Sequence, residues 1–179
     1  RKPALQDLLR EIARRHETGL HPSYRSNADT SQGEREQQHY QFITGKLPVR
    51  SRQHFLRLHL PGTYQQLMSR GIREDYTMGF ADQPGFRAGL AVPFPWYDLQ
   101  REAVQPLTVY PFPFMDGTLR QYMQLAPETA MEEMQELIAT TKRVGGLLIP
   151  VWHNSSFSEQ HGWGGWQKVY EFLLQQGAS

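Results

Sequence analysis

The stretch Gly145–Asn154, GGLLIPVWHN, decides the reading of the fold. Leu147 to Pro150 form a short apolar run that continues through Val151 and Trp152 into His153. A buried strand that stops at a histidine is what a (β/α) barrel needs at its reactive rim, where catalytic side chains sit at the C-terminal ends of parallel strands. Working outward, a second histidine, His21, closes another short run, Glu17-Thr18-Gly19-Leu20-His21, and Pro22 and Ser23 then break the strand. Two histidines at two strand ends point to one shared site, in which they hold a metal, move protons or merely pack.

The rest of the chain alternates. Leu5, Leu8, Leu9 and Ile12 recur at helical spacing behind Pro3, a first-turn residue. A polar loop leads to a helix over residues 32–44, with Thr30 or Ser31 as its cap. Val49 to Leu58 is the next strand, Pro61 opens a helix that Gly71 stops, and Ile72 to Ala81 is a strand running into a loop. A Pro- and aromatic-rich region contains a short strand at Leu107 to Tyr110. Helices follow over Thr118 to Leu125, from Pro127 to the glycines at 145 and 146, and from about Gly165 to Leu174. This order predicts an α/β domain with a mainly parallel sheet. Five or six strands fall short of a closed eight-stranded barrel, so a distorted, incomplete barrel is expected; a small doubly wound sheet is the alternative. With no internal repeat or linker, residues 1–179 read as one domain.

Composition narrows the classes. The chain has 179 residues, long enough for a real core, and 39% of them are hydrophobic. Nineteen basic and 18 acidic residues leave a net charge of +1, which gives no reason to expect a nucleic-acid partner. No apolar run reaches the length of a membrane span, and with no cysteine there are no disulfides and no thiolate ligands. No phosphate-binding glycine motif occurs. The chain opens on Arg1 rather than Met, directly into a helical pattern, and reads as a piece of a longer protein.

Several side chains can carry chemistry. His21 is a candidate metal ligand at a strand end. Arg52 and His54 are two apart, so a strand would place them on one face, which is costly to bury unless it serves a site. His153 is a candidate general acid or base, and Trp152 beside it can wall a sugar ring or pack. Arg87, bracketed by glycines in GFRAG, can bind a carboxylate, orient a catalytic acid or form a structural ion pair, with Asp75 and Asp116 as candidate partners. Trp96, Tyr97, Phe112 and Phe114 can line a carbohydrate groove or cover the core. Asp98 reads as a helix N-cap, and His16, His39 and His161 as surface residues.

Taken in order, ETGLHPSYRSN, RSRQHFLRL, GIREDYTMGFADQPGFRAG, PFPWYDL, MDGTL and GGLLIPVWHN make the chain resemble the polysaccharide deacetylase (NodB-homology) superfamily, in a divergent bacterial branch. The resemblance runs from about Glu17 to His153. It implies the distorted barrel, with this chain as its C-terminal two-thirds. It also implies a divalent metal, often zinc, and hydrolysis of an N-acetyl group on an amino sugar or of a related carbon–nitrogen bond. His21 matches the first metal histidine, Arg52 the arginine that braces the catalytic base, and His153 the general acid. The superfamily's aspartate pair would precede residue 1, and its second metal histidine would fall at Arg25, which cannot ligate a cation; His54 is the candidate replacement. Arg87, Trp96 and Trp152 are the expected substrate contacts. The competing expectation is a carbohydrate-binding protein that keeps the fold and has lost its metal shell.

Overall fold

A computed structural model describes residues 3–177. The chain forms two compact units: one contains the described residues up to Thr77 together with Phe94–Val109, the other Met78–Pro93 and the described residues from Tyr110 onward.

The first unit holds a four-stranded, mostly parallel sheet, so the α/β class is as the sequence predicts. Its strands are β1 (Arg50–Ser51), β2 (Glu74–Asp75), β3 (Phe94–Asp98) and β4 (Ala103–Val109), in the order β1-β2-β4-β3. β1, β2 and β4 run parallel, with Ser51 opposite Asp75 and Asp75 opposite Val109. Leu20 adds a single parallel bridge beside Ser51. Gly19 permits this approach, since a Cβ there would stand 2.9 Å from the Cβ and carbonyl oxygen of Arg50. The sheet is open.

Two strands differ from expectation. The stretch from Val49 to Leu58 keeps only β1, because Gln53 leads into a short 3-10 turn, His54–Leu56, whose Phe55 and Leu56 adopt left-handed φ of 54° and 51°. Such backbone costs about 1–3 kcal/mol per residue and cannot continue a ladder. The aromatic region is an antiparallel hairpin, β3 on β4. Asp98 is therefore no helix cap: it ends β3, and its carboxylate accepts the backbone N–H groups of Gln100 and Arg101 in the hairpin turn.

The helices of this unit are α1 (Pro3–Arg15), α2 (Thr30–Thr44) and α3 (Gly62–Ser69). Asp29 caps α2 by accepting the Gln32 N–H, one residue before the expected caps. Gly45 ends it at φ 74°, a conformation that spares glycine the Cβ penalty. α1 buries none of its residues; Leu5, Leu8, Leu9 and Ile12 stay exposed. The core gathers Tyr64, Leu67, Ile72, Trp96, Leu107 and Val109.

In the second unit α4 (Pro127–Arg143) packs on α5 (Trp166–Gly177). Pro127 starts α4 as predicted, and Ala130, Met134 and Ile138 face a cluster with Phe114, Leu119, Trp163, Trp166, Val169 and Leu173. The 118–125 segment becomes a single wide turn, Thr118–Tyr122. The Leu147–Pro150 run forms no strand: Leu147 is exposed and only Val151 pairs, in a parallel bridge with Met115. Pro150 offers no N–H to a ladder, which shortens the pairing. Among the described residues no helix is long and apolar enough to cross a membrane.

Candidate functional site

The parallel order of the first unit brings three segments to one sheet edge. Leu20, Ser51 and Asp75 are neighbours in the sheet, so the residues that follow them emerge together at the C-terminal ends of their strands. This is where open α/β sheets present ligand-binding groups.

His21 follows Leu20, and its Nδ1 lies 2.7 Å from the Arg52 carbonyl oxygen. A carbonyl can only accept, so the proton is on Nδ1 and a neutral His21 turns an Nε2 lone pair outward. That lone pair meets His54 Nδ1 at 3.0 Å, with the two rings 5.0 Å apart and edge-on. His54 meets His21 from the first residue of the 3-10 turn that follows β1, not from the face of a strand. Two nitrogens each about 2.1 Å from one tetrahedral ion lie about 3.4 Å apart. At 3.0 Å the pair stands a few tenths of an ångström closer than that, so holding an ion would part the rings slightly and move the His54 proton from Nδ1 to Nε2. Among the described residues no group of three or more His, Asp or Glu side chains is gathered in a metal-holding arrangement. Arg25, at the position of the missing histidine, is exposed in the turn Tyr24–Asn27. A pocket of about 500 Å³ opens beside the pair, lined by His21, Tyr24, Glu36, His39, Tyr40 and His54 among others.

Behind the pair stands Asp75, fully buried at the end of β2. Its carboxylate accepts Tyr64 Oη–H at 3.1 Å, the Thr77 N–H at 3.0 Å and the Thr77 hydroxyl at 2.6 Å. Desolvation dominates these bonds and the nearby Arg52 charge, and pushes Asp75 up to about 6. Arg52 Nε donates to the Tyr76 carbonyl at 3.0 Å, and burial draws its guanidinium down.

The second unit carries a different constellation. The Met115–Val151 bridge is held by Val151 N–H to the Phe114 carbonyl and Asp116 N–H to the Val151 carbonyl, each 3.1 Å. Asp116 and His153 lie just beyond that bridge on the two paired segments. His153 Nδ1 sits 2.5 Å from Asp116 Oδ1, and the His153 N–H donates to Oδ2 at 2.8 Å. The buried Ser156 hydroxyl donates to Oδ2 as well, and the Gly117 N–H donates to Oδ1 at 2.7 Å. Desolvation raises the Asp116 carboxyl, but the bonds from His153 and Ser156 and the His153 charge outweigh it and hold it below the usual carboxylate range. A carboxylate that accepts Nδ1–H fixes the tautomer, leaves Nε2 for proton transfer and balances the charge the ring carries when Nε2 is protonated. The His153 side chain is half exposed. Ser156 bonds the carboxylate rather than the imidazole, so the trio is no serine-nucleophile triad.

The remaining predicted residues fall as follows. Trp96, 7% exposed, packs edge-on against Tyr64 at 5.2 Å; it is core, and the substrate contact expected of it is corrected. Phe112 and Phe114 are likewise fully buried. Trp152 is half-buried against Tyr170 and Trp166 of α5, with ring centroids 5.3 and 6.3 Å away. Arg87 is exposed, and among the described residues no ion pair joins it to Asp75 or Asp116. His21 and His54 are brought together, whereas His153 belongs to the second unit with Asp116. Sequence reasoning missed the roles of Asp116, Ser156 and Thr77. The available signal was an aspartate closing the apolar run PFPFM and a serine three residues past His153. Comparison of the chain with protein-family models, curated proteins and solved structures finds no match.

Proposed function

We propose that the chain is the larger part of a metal-dependent carbohydrate N-deacetylase built on an incomplete (β/α) barrel of the NodB type. The observation that carries this reading is the His21–His54 pair, two imidazole nitrogens 3.0 Å apart at the C-terminal edge of a parallel sheet. In this reading His21 and His54 supply two ligands to a divalent cation, zinc by the nitrogen chemistry of the donors. When bound, such an ion polarises an amide carbonyl and makes water a nucleophile near neutral pH. The chain's own residues do the rest. The pocket beside the pair has room for a small N-acylated group. In this reading His153 keeps the role that the resemblance implies, general acid to the departing amine, and Asp116 holds its ring in the tautomer which that role requires. The catalytic base falls outside these residues, as the resemblance implies, and Arg87 and Trp152 are the proposed substrate contacts.

Zinc titration and sugar binding test the proposal. Zinc should bind with a midpoint that His21→Ala and His54→Ala each weaken at least about tenfold. Acetate release from N-acetylglucosamine oligomers in the presence of zinc, wherever measurable, should fall about 10²- to 10⁴-fold in His153→Ala. Absence of zinc binding would sink the reading. Arg25, at the position of the superfamily's second metal histidine, favours a second one, a sugar-binding protein without catalysis. It requires oligosaccharide binding that zinc and the histidine substitutions leave unchanged.

A further inference from the structure

We infer that Asp75 is a positioning residue that sets the tautomer and aim of His21 through Thr77 and the peptide group between Arg52 and Gln53.

The hydrogen bonds form one continuous chain. The Thr77 hydroxyl has a single proton, and it goes to Asp75 Oδ2 at 2.6 Å. Thr77 Oγ1 is left as an acceptor, and it takes the Gln53 N–H at 3.0 Å. That N–H and the Arg52 carbonyl belong to the same peptide unit, which is planar and trans, so pinning one end fixes the direction of the other. The Arg52 carbonyl accepts the His21 Nδ1–H at 2.7 Å. His21 Nε2 then faces His54 Nδ1. Gln53 and Thr77 are buried, so water does not substitute along this part of the chain. Each link polarises the next in a low-dielectric interior. The negative charge of Asp75 therefore strengthens the Arg52 carbonyl as an acceptor and holds the His21 proton on Nδ1. Metal-ligating histidines are commonly oriented by a carboxylate or carbonyl on their far nitrogen. Here a buried carboxylate would act on such a carbonyl through a hydroxyl and a peptide. The consequence for metal affinity rests on the function proposed above; the consequence for the tautomer does not.

The test is ¹⁵N NMR of the histidine side chains in the full chain, without added metal and above the histidine titration range. His21 should be the Nδ1–H tautomer in the unsubstituted protein. Thr77→Val leaves the Gln53 N–H without an acceptor and should cut the Nδ1–H population of His21 about threefold or more, while Thr77→Ser restores it. Asp75→Asn should shift the population in the same direction, and Thr77→Val carries the test if Asp75→Asn does not fold. Zinc affinity should follow, about 10- to 100-fold weaker in Thr77→Val and recovered in Thr77→Ser. A folded Thr77→Val protein whose His21 tautomer matches the unsubstituted chain would overturn the inference. An altered tautomer in a protein that never binds zinc would uphold it and refute the deacetylase reading instead.

Discussion

Asp75 and Asp116 are both fully buried carboxylates beside strand-like pairings, yet burial acts on them with opposite results. Around Asp75 the donors are two side-chain hydroxyls and one amide, with Arg52 as the nearby cation, and desolvation prevails. Around Asp116 two amides, a hydroxyl and the His153 ring converge, and the ionised form prevails. What separates the two is the number and charge of the donors aimed at each carboxylate. The first is a costly charge held behind a pair of imidazoles; the second is a settled charge that holds one imidazole directly.

The largest test of this contrast is Asp116→Ala. It strands two amides and a buried hydroxyl and should cost more than about 3 kcal/mol by chemical denaturation. A loss under about 1 kcal/mol would mean that the four donors do not depend on the carboxylate.

The pH dependence comes next, and its sign differs between the sites. Folded Asp75 keeps its proton up to about 6, while the unfolded chain releases it near the ordinary aspartate value of 3.8. Between those values the folded state binds more protons, so this group's contribution to stability falls as pH rises, by about 3 kcal/mol in all. Asp116 has a lowered folded pKa, so its contribution is present above the unfolded value and is lost as pH falls through the folded one. Denaturation midpoints from pH 4 to 7 should show the Asp75 slope in the parent protein and not in Asp75→Asn. An equal slope in both would assign the titration elsewhere.

Smaller effects sharpen the comparison. Ser156→Ala removes one bond to Asp116 and should cost about 1–2 kcal/mol without abolishing the His153 pairing, which ¹⁵N shifts would report. Tyr64→Phe removes one of three donors to Asp75 and should cost about 1 kcal/mol. It should also move the Asp75 titration upward, readable as a displaced midpoint in the pH–stability curve. No displacement would show that the phenol does not share in holding the charge.

Much of the fold was legible because periodicity and breakers are local properties. Pro127 with Met134 and Ile138 marked α4, Gly71 lay just past the end of α3, and the strand expected at Leu107 to Tyr110 caught Leu107–Val109, the last residues of β4. The hairpin strands carry Pro95 and Pro106, which a short or edge strand tolerates but which hide its pattern in the sequence. The Val49–Leu58 strand was overlong because no residue there announces the left-handed turn at Phe55 and Leu56. Trp96 looked like a binding residue for want of any local sign that Tyr64 covers it.

By itself the sequence determined the α/β class, most helices, and the candidacy of His21, His54 and His153, because spacing, capping and residue chemistry are written one position at a time. Only the tertiary structure decided which groups meet: His21 with His54, Thr77 between Asp75 and Gln53, and Asp116 with His153 and Ser156. The physical reason is that strand pairing joins segments tens of residues apart. Hydrogen-bond geometry, burial and the resulting proton affinities exist only after that pairing has formed.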